Sequence, residues 1–334
     1  MVNSIRHNPG RDKSAATPQL RGHLAICRFD HWVKNLFVVP GAIAAFALSR
    51  TPLNGAVLLK LILALLAAGL ISSSNYVLNE VLDAPFDRAH PIKSKRPVPS
   101  GLVHIRLAYA QWIALCAAGL ALGYFLSFAL LLTLLGFWCM GCVYNIPPVR
   151  SKDIPIVDVL TEAINNPLRL LIGWFAITQY TVPPVSLVVS YWMIGCYFMA
   201  LKRYSELLRL SASGCVHEYR KSLASLTPEA ILISVMFYAS TSMLLFGAFL
   251  MRYRMELVLS FPLIAWVMAV YLSIAFKKDG AAENPEKLYR EKWLMLSVSF
   301  CTVAMALLLF VDIPALQLIF TPTAPIESIH GRAR

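Results

Sequence analysis

Runs of some twenty apolar positions, separated by short polar and mostly basic stretches, recur along nearly the whole chain. Nine segments carry this pattern, at about 34–50, 55–80, 105–124, 126–145, 155–178, 184–206, 228–250, 256–276 and 293–312. A helix needs about 20 mostly apolar residues to cross a bilayer, and lipid offers the backbone no hydrogen-bonding partner, so each segment is predicted to be a helix. The first is short and contains Pro40, and the third and fourth are nearly continuous, which predicts a tight hairpin. The expectation is an all-α integral membrane protein of about nine transmembrane helices. Residues 1–27 open with MVNSIRHNPGRDKSAATPQL, which is polar and basic and lacks the early apolar core of a signal peptide. They read as a flexible basic arm, residues 28–312 as a single transmembrane domain, and residues 313–334 as a C-terminal tail.

Composition supports the membrane reading. Of 334 residues, 58% are hydrophobic and 14% charged, against about 25% charged in a soluble domain. The net charge of +12 would admit nucleic acid as a partner, but its distribution argues otherwise. With nine spans, the N-terminal arm and every second loop share one side, which holds Arg28, Lys34, Arg88, Lys93, Lys95, Arg96, Arg150, Lys152, Lys202, Arg203 and Lys277. The other side has little beyond Arg50, Arg252, Arg254 and the tail. That bias places the basic side in the cytoplasm and leaves no need for nucleic acid. The seven cysteines are scattered, and Cys139 and Cys142 lie inside a span, where they read as packing residues; nothing points to a disulfide framework.

The polar positions that break the apolar pattern carry the chemistry. Asn79, Asp83 and Asp87 are spaced i, i+4, i+8 at the cytoplasmic end of the second segment, with Asn75 one turn before them. On a helix they share a face, although Pro85 is expected to kink or break it. Carboxylates on one face repel unless a cation lies between them, and Mg²⁺ takes oxygen ligands and pairs carboxylates with substrate phosphates. Glu80 stands beside Asn79, and Arg88, Lys93, Lys95 and Arg96 follow as candidate phosphate contacts. The bland alternative is a solvated loop with helix-end charges. His31, His90 and His104 read as solvated interfacial side chains.

The stretch NEVLDAPFDRAHPIKSKRP resembles the aspartate-rich motif of the UbiA superfamily of intramembrane prenyltransferases, and KSKRPVPSG resembles its continuation. The family pattern has Asp where this chain has Glu80. The resemblance implies a helical bundle whose cytoplasm-facing active site binds Mg²⁺ and a diphosphate, with Asn79, Glu80, Asp83 and Asp87 as metal ligands and Asn79, Asp83 and Asp87 as catalytic residues. YNIPPVRSK, with Tyr144, Arg150 and Lys152, resembles the family's tyrosine–proline–arginine–lysine loop; without that context it is an ordinary basic loop.

The fifth segment, DVLTEAINNPLRLLIGW, places Asp158, Glu162, Asn165 and Arg169 on one face. A charge at the bilayer centre costs about 2.5–3.5 kcal/mol on insertion scales, so these side chains either pair with each other or line a wet cavity. After the sixth segment, where the family's prenyltransferases have a second aspartate-rich motif, this chain has Lys202, Arg203 and Glu206, then Arg220 and Lys221. That, together with HWVKN, AHPIK and NPEKLYRE, resembles the polyprenyl-phosphate phosphoribosyltransferase branch, over about residues 28–310. The resemblance implies phosphoribosyl transfer to a polyprenyl phosphate, with prenyl transfer from a prenyl diphosphate to a small acceptor as the alternative. Candidate substrate-binding residues are Arg96, Lys152, Lys202, Arg203, Tyr144, Glu162, Asn166 and Arg169. The expected partners are a polyprenyl lipid, a phosphorylated or diphosphate small molecule and the membrane itself, and the expected location is the bacterial inner (plasma) membrane. A transporter would also carry charges within its spans, but here the main acidic cluster lies at one mouth.

Overall fold

The computed structural model describes residues 20–49, 51–52, 54–88, 93–213, 221–277, 282 and 285–320, and these contain helices and loops but no strand. The outer parts of the expected arm (1–19) and tail (321–334), residues 89–92, which hold His90 and all of AHPIK but its lysine, and residues 214–220, which hold Arg220, lie outside the described residues. The inner ends of the arm and tail hold short helices, α1 (Leu20–Ala25) and α12 (Pro314–Phe320). A ten-residue 3₁₀ segment, Phe29–Val38, leads into α2 (Val39–Ser49), with Pro40 in the first turn, where its missing N–H is tolerated.

The longest helix is α3 (Gly55–Asp87), 33 residues, capped by the Asn54 side chain accepting from the Val57 N–H. Then come α4 (Ile105–Leu126) and α5 (Phe128–Asn145), separated only by Ser127, whose side chain accepts from the Leu130 N–H. This is the expected tight hairpin. The order continues through α6 (Val157–Ala163), α7 (Asn165–Ile177), α8 (Val185–Ser213), α9 (Pro228–Tyr253), α10 (Phe261–Ala275) and α11 (Lys292–Phe310). Thr227 caps α9 through the Ala230 N–H, ahead of Pro228 at the first helical position.

Eight helical stretches are long and apolar enough to cross a membrane. The expected fifth span is not one of them, because it is divided at Ile164 into the seven-residue α6 and thirteen-residue α7. Pro167 has no N–H to give the Ala163 carbonyl, so the helical ladder loses a bond at the division. Pro85, by contrast, does not break α3, which remains helical to Asp87. The proline lies one turn from the end, where little helix remains to be disturbed.

Two apolar centres hold the bundle together. In one, Ala64, Ala67 and Ala68 of α3 pack with Leu130, Leu134 and Phe137 of α5 and Ile172 of α7. In the other, α8 packs through Tyr197, Ala200, Leu201 and Tyr204 against Ile231, Val235 and Tyr238 of α9 and Tyr271 and Ile274 of α10. The α2–α7 contact is a backbone approach: Gly41 lies against the Leu170 carbonyl and Gly173 against the Val38 carbonyl. Small residues permit such approaches between membrane helices. A valine at position 173 would put its Cβ into the Val38 carbonyl. Gly173→Val should therefore cost about 1–3 kcal/mol or more, read as a lower melting midpoint of the detergent-purified protein, whereas Gly55→Ala, where a Cβ would meet nothing within 4 Å, should leave it in place.

Candidate active site

Because α3 stays helical through Pro85, Asn79, Asp83 and Asp87 share one face: Asn79 and Asp83 meet the end of α5 and the chain that follows it, and Asp87 meets Arg96 in the connection from α3 to α4. Five hydrogen bonds define the mouth. Asp83 Oδ1 accepts from Lys152 Nζ at 2.5 Å and from Arg150 Nη2 at 2.9 Å. Asp87 Oδ2 accepts from Arg96 Nη1 at 2.6 Å. Asn79 Nδ2 donates to Asn145 Oδ1 at 2.6 Å, and Lys152 Nζ donates to that same oxygen at 2.8 Å. Arg150 reaches Asp83 from a left-handed backbone position (φ 31°), with its guanidinium over the Phe86 ring and its Nε donating to Asp153. Burial pulls the Lys152 ammonium below the usual lysine range, while Asp83 works in the other direction by holding its proton on.

Asn145 and Arg150 join this centre although neither was singled out as a site residue. Asn145 follows Tyr144 as the last residue of an apolar helix, so its polarity at a buried helix end was the available signal. Arg150 was visible as the arginine of the YNIPPVRSK loop, without a partner assigned to it.

Glu80 is placed differently from the sequence expectation. It is 1% exposed. Its Oε2 accepts from Arg28 at 3.2 Å and its Oε1 from the Val98 N–H at 3.1 Å. Successive helical residues do not face one another, so the carboxylate is turned from Asn79 and Asp83 to fasten the segments at Arg28 and Val98 onto α3.

A second cluster surrounds Arg203 of α8, which is 2% exposed. Its Nε donates to Asp158 at 2.7 Å, its Nη1 to Glu206 at 3.1 Å, and its Nη2 to Glu162 at 3.0 Å and to the Tyr144 hydroxyl at 3.3 Å. Tyr144 in turn donates to Glu162 at 2.8 Å, and Ser222 to Asp158 at 3.2 Å. The expected phosphate contact is thus occupied as the hub of an acidic network. Lys202, its neighbour, is half-buried and makes no hydrogen bond or ion pair among the described residues. Asn166 packs against Gly195 of α8. Arg169 lies deeper, over the Phe137 ring, and does not pair with Glu162 among the described residues.

Among the described residues, no three His, Cys, Asp or Glu side chains gather into a metal cluster. The mouth nevertheless suits a hard cation. Two carboxylates lie on one helix face, and the Lys152 ammonium already draws an Asp83 oxygen and an Asn145 oxygen to a single positive charge. With so few acids, Mg²⁺ would need substrate oxygens to complete its shell, which is its usual habit.

A family model described as the UbiA prenyltransferase family matches residues 37–298. A decaprenyl-phosphate phosphoribosyltransferase of Corynebacterium glutamicum is 28% identical over 217 residues, covering 62% of this chain and 60% of that protein. One from Mycobacterium tuberculosis is 30% identical over 207 residues, covering 62% of this chain and 66% of that protein. The matches span less than two thirds of either relative. Among solved structures, a UbiA homologue from Archaeoglobus fulgidus bound to GPP and Mg²⁺ superposes with a TM-score of 0.64 at 22% identity, covering 85% of this chain and 99% of that one.

The placement of Glu80 predicts a selective defect. Glu80→Ala should lower stability by about 1–3 kcal/mol, since it strands Arg28 and a buried N–H, and should leave the Mg²⁺ concentration for half-maximal ligand binding unchanged. A normal melting midpoint with a raised Mg²⁺ requirement would instead make Glu80 a metal ligand.

Proposed function

The chain belongs to the UbiA prenyltransferase family, and from that premise we propose that it is a Mg²⁺-dependent membrane transferase that moves a phosphoribosyl group from phosphoribosyl diphosphate to a polyprenyl phosphate. The observation that carries the choice is the Arg203 hub. Where prenyltransferases of the family resemble one another in a second acidic motif, Arg203 here engages Asp158, Glu162 and Glu206 at once and holds those carboxylates to a cation of the protein itself, while the neighbouring Lys202 adds positive charge. With those acids held by Arg203, the mouth sets Asp83 and Asp87 against Arg96, Arg150 and Lys152, and these cations together with Lys202 suit a donor that carries a phosphate in addition to its diphosphate. The relatives named as decaprenyl-phosphate phosphoribosyltransferases support the same reading.

In this account, residues 28–312 form one catalytic domain that opens to the cytoplasm of a bacterial inner membrane. Asp83, Asp87 and Asn79 would hold Mg²⁺ together with diphosphate oxygens, and the metal would neutralise charge on the departing diphosphate. Lys152, Arg150 and Arg96 exchange their present carboxylate partners for diphosphate oxygens, so each cation remains paired before and after binding. Lys202 is a further phosphate contact. A polyprenyl phosphate oxygen forms a bond to ribosyl C1 as the C1–diphosphate bond breaks, and the electron pair leaves with diphosphate. With a second phosphate pKa near 6, the nucleophile is largely ionised at neutral pH and needs no general base. The surrounding helices keep water from C1.

Prenyl transfer from a prenyl diphosphate to a small acceptor is the second reading, supported by the YNIPPVRSK loop and by the GPP-bound structural neighbour. The two are separated by incubating the purified protein with radiolabelled phosphoribosyl diphosphate, polyprenyl phosphate and Mg²⁺. A labelled lipid is expected, abolished by chelator and reduced at least about 100-fold by Asp83→Asn, the scale of losing a key electrostatic contact. No labelled lipid from folded protein, with prenyl transfer to an aromatic acceptor instead, would overturn the proposal.

A further inference from the structure

Arg169 is the charged group that neither cluster explains. It is 7% exposed in α7 and forms no ion pair among the described residues. Its Nε donates to Asn35 Oδ1 at 3.2 Å and its Nη1 to the Asn165 carbonyl at 3.4 Å, and the Phe137 ring lies 4.8 Å from the guanidinium carbon. A buried guanidinium whose hydrogen bonds all go to neutral groups is unusual, because buried charges are normally paired.

Three orphaned polar atoms belong to the same neighbourhood. Asn35 Nδ2, Asn75 Oδ1 and Asn165 Oδ1 are buried and meet no hydrogen-bonding partner among the described residues. Their identities follow from what the other end of each amide does. Asn35 Oδ1 accepts from Arg169 and Ser72, Asn75 Nδ2 donates to the Phe137 carbonyl, and Asn165 Nδ2 donates to the Glu162 carbonyl. One donor is therefore left beside a cation, and two acceptors remain. Buried polar atoms are rarely left unmatched without a ligand or another reason.

The cluster continues the mouth inward. Asn75 lies one turn from Asn79 on α3, about 6 Å along the axis, and Phe137 joins Asn75 to Arg169. An apolar prenyl chain would satisfy none of these atoms. A ligand with an anion and hydroxyl groups would satisfy all of them.

We propose that Arg169 and Asn35 bind the phosphate monoester of the ribosyl donor, at the end opposite its diphosphate, and that Asn75 and Asn165 accept hydrogen bonds from the ribose hydroxyls. This deepens the phosphoribosyl reading and rests on it. The phosphate of polyprenyl phosphate has the same monoester chemistry, so the test must separate the two sources.

Ribose 5-phosphate, Mg²⁺ with inorganic diphosphate, and polyprenyl phosphate are each titrated into the full chain in detergent. Arg169→Gln should weaken ribose 5-phosphate by at least about tenfold, the scale of a charge-assisted contact, while Mg²⁺–diphosphate stays within about twofold and Arg169→Lys recovers part of the loss. Asn35→Leu, which keeps the cation, should show the same selectivity and serves if Arg169→Gln does not fold. Undiminished ribose 5-phosphate affinity, or an equal loss for all three ligands, would make Arg169 a structural strut. A loss confined to polyprenyl phosphate would assign the subsite to the lipid head. The transfer assay on the same preparation keeps the two claims apart: labelled product with unchanged ribose 5-phosphate affinity in Arg169→Gln defeats the subsite alone, whereas no product from wild type defeats the reaction.

Discussion

Asp83 stands at the end of a 33-residue, mostly apolar helix, and its charge is tolerable there because Lys152 and Arg150 meet it. That contact ties α3 to the chain leaving α5 and sets the shape of the mouth. Lys152 is buried with its ammonium shared between Asp83 and Asn145, so its charge too is compensated through this contact. Breaking one side of such a buried pair is costly, since the remaining charge is left without compensation. A ligand that enters must therefore bring charges of its own, and a metal with an anionic diphosphate would do so in balance: under the proposed function Asp83 and Asp87 would hold the metal, and Lys152, Arg150 and Arg96 the diphosphate.

The same constraint organises the rest of the polar interior. Arg203 gathers Asp158, Glu162 and Glu206 and fastens α6 to α8, with Tyr144 of α5 joined through its hydroxyl. The α6–α7 division, where a proline lacks its amide hydrogen, keeps Glu162 and Arg169 on separate helices, and each has found different company. Glu80 uses its charge to anchor Arg28 and the Val98 amide. Charged groups of similar appearance in the sequence thus divide into those that brace the bundle and those left to face a ligand.

Much of this was legible from residue order. The apolar runs located the helices, the near-continuity of the third and fourth segments marked the hairpin, and the i, i+4, i+8 spacing placed Asn79, Asp83 and Asp87 on one face. What spacing could not convey was which partner each charge would meet. Arg203 and Lys202 are adjacent in sequence, yet one is saturated by carboxylates from α6 and its own helix while the other is not. Glu80 sits beside Asn79 but, being one residue on, projects to another side of α3. The expected fifth span contained enough apolar residues to be counted, but Pro167 removes a helical hydrogen bond that no composition window registers. Pro85, read as a break, was too near the helix end to interrupt it. Asn145 was hidden because a single polar residue at a helix end looks like ordinary capping until Asn79 and Lys152 converge on it.

The central claim is that the acidic face of α3 is incomplete as a metal site without the phosphate oxygens of its ligand. It is tested most directly by measuring the affinity of the purified protein for inorganic diphosphate across a Mg²⁺ series, and for Mg²⁺ with and without diphosphate, corrected for their association in solution. The account predicts weak binding of either alone and reciprocal strengthening by one common factor, as thermodynamic linkage requires. Tight Mg²⁺ binding in the absence of diphosphate, or diphosphate affinity indifferent to Mg²⁺, would contradict it.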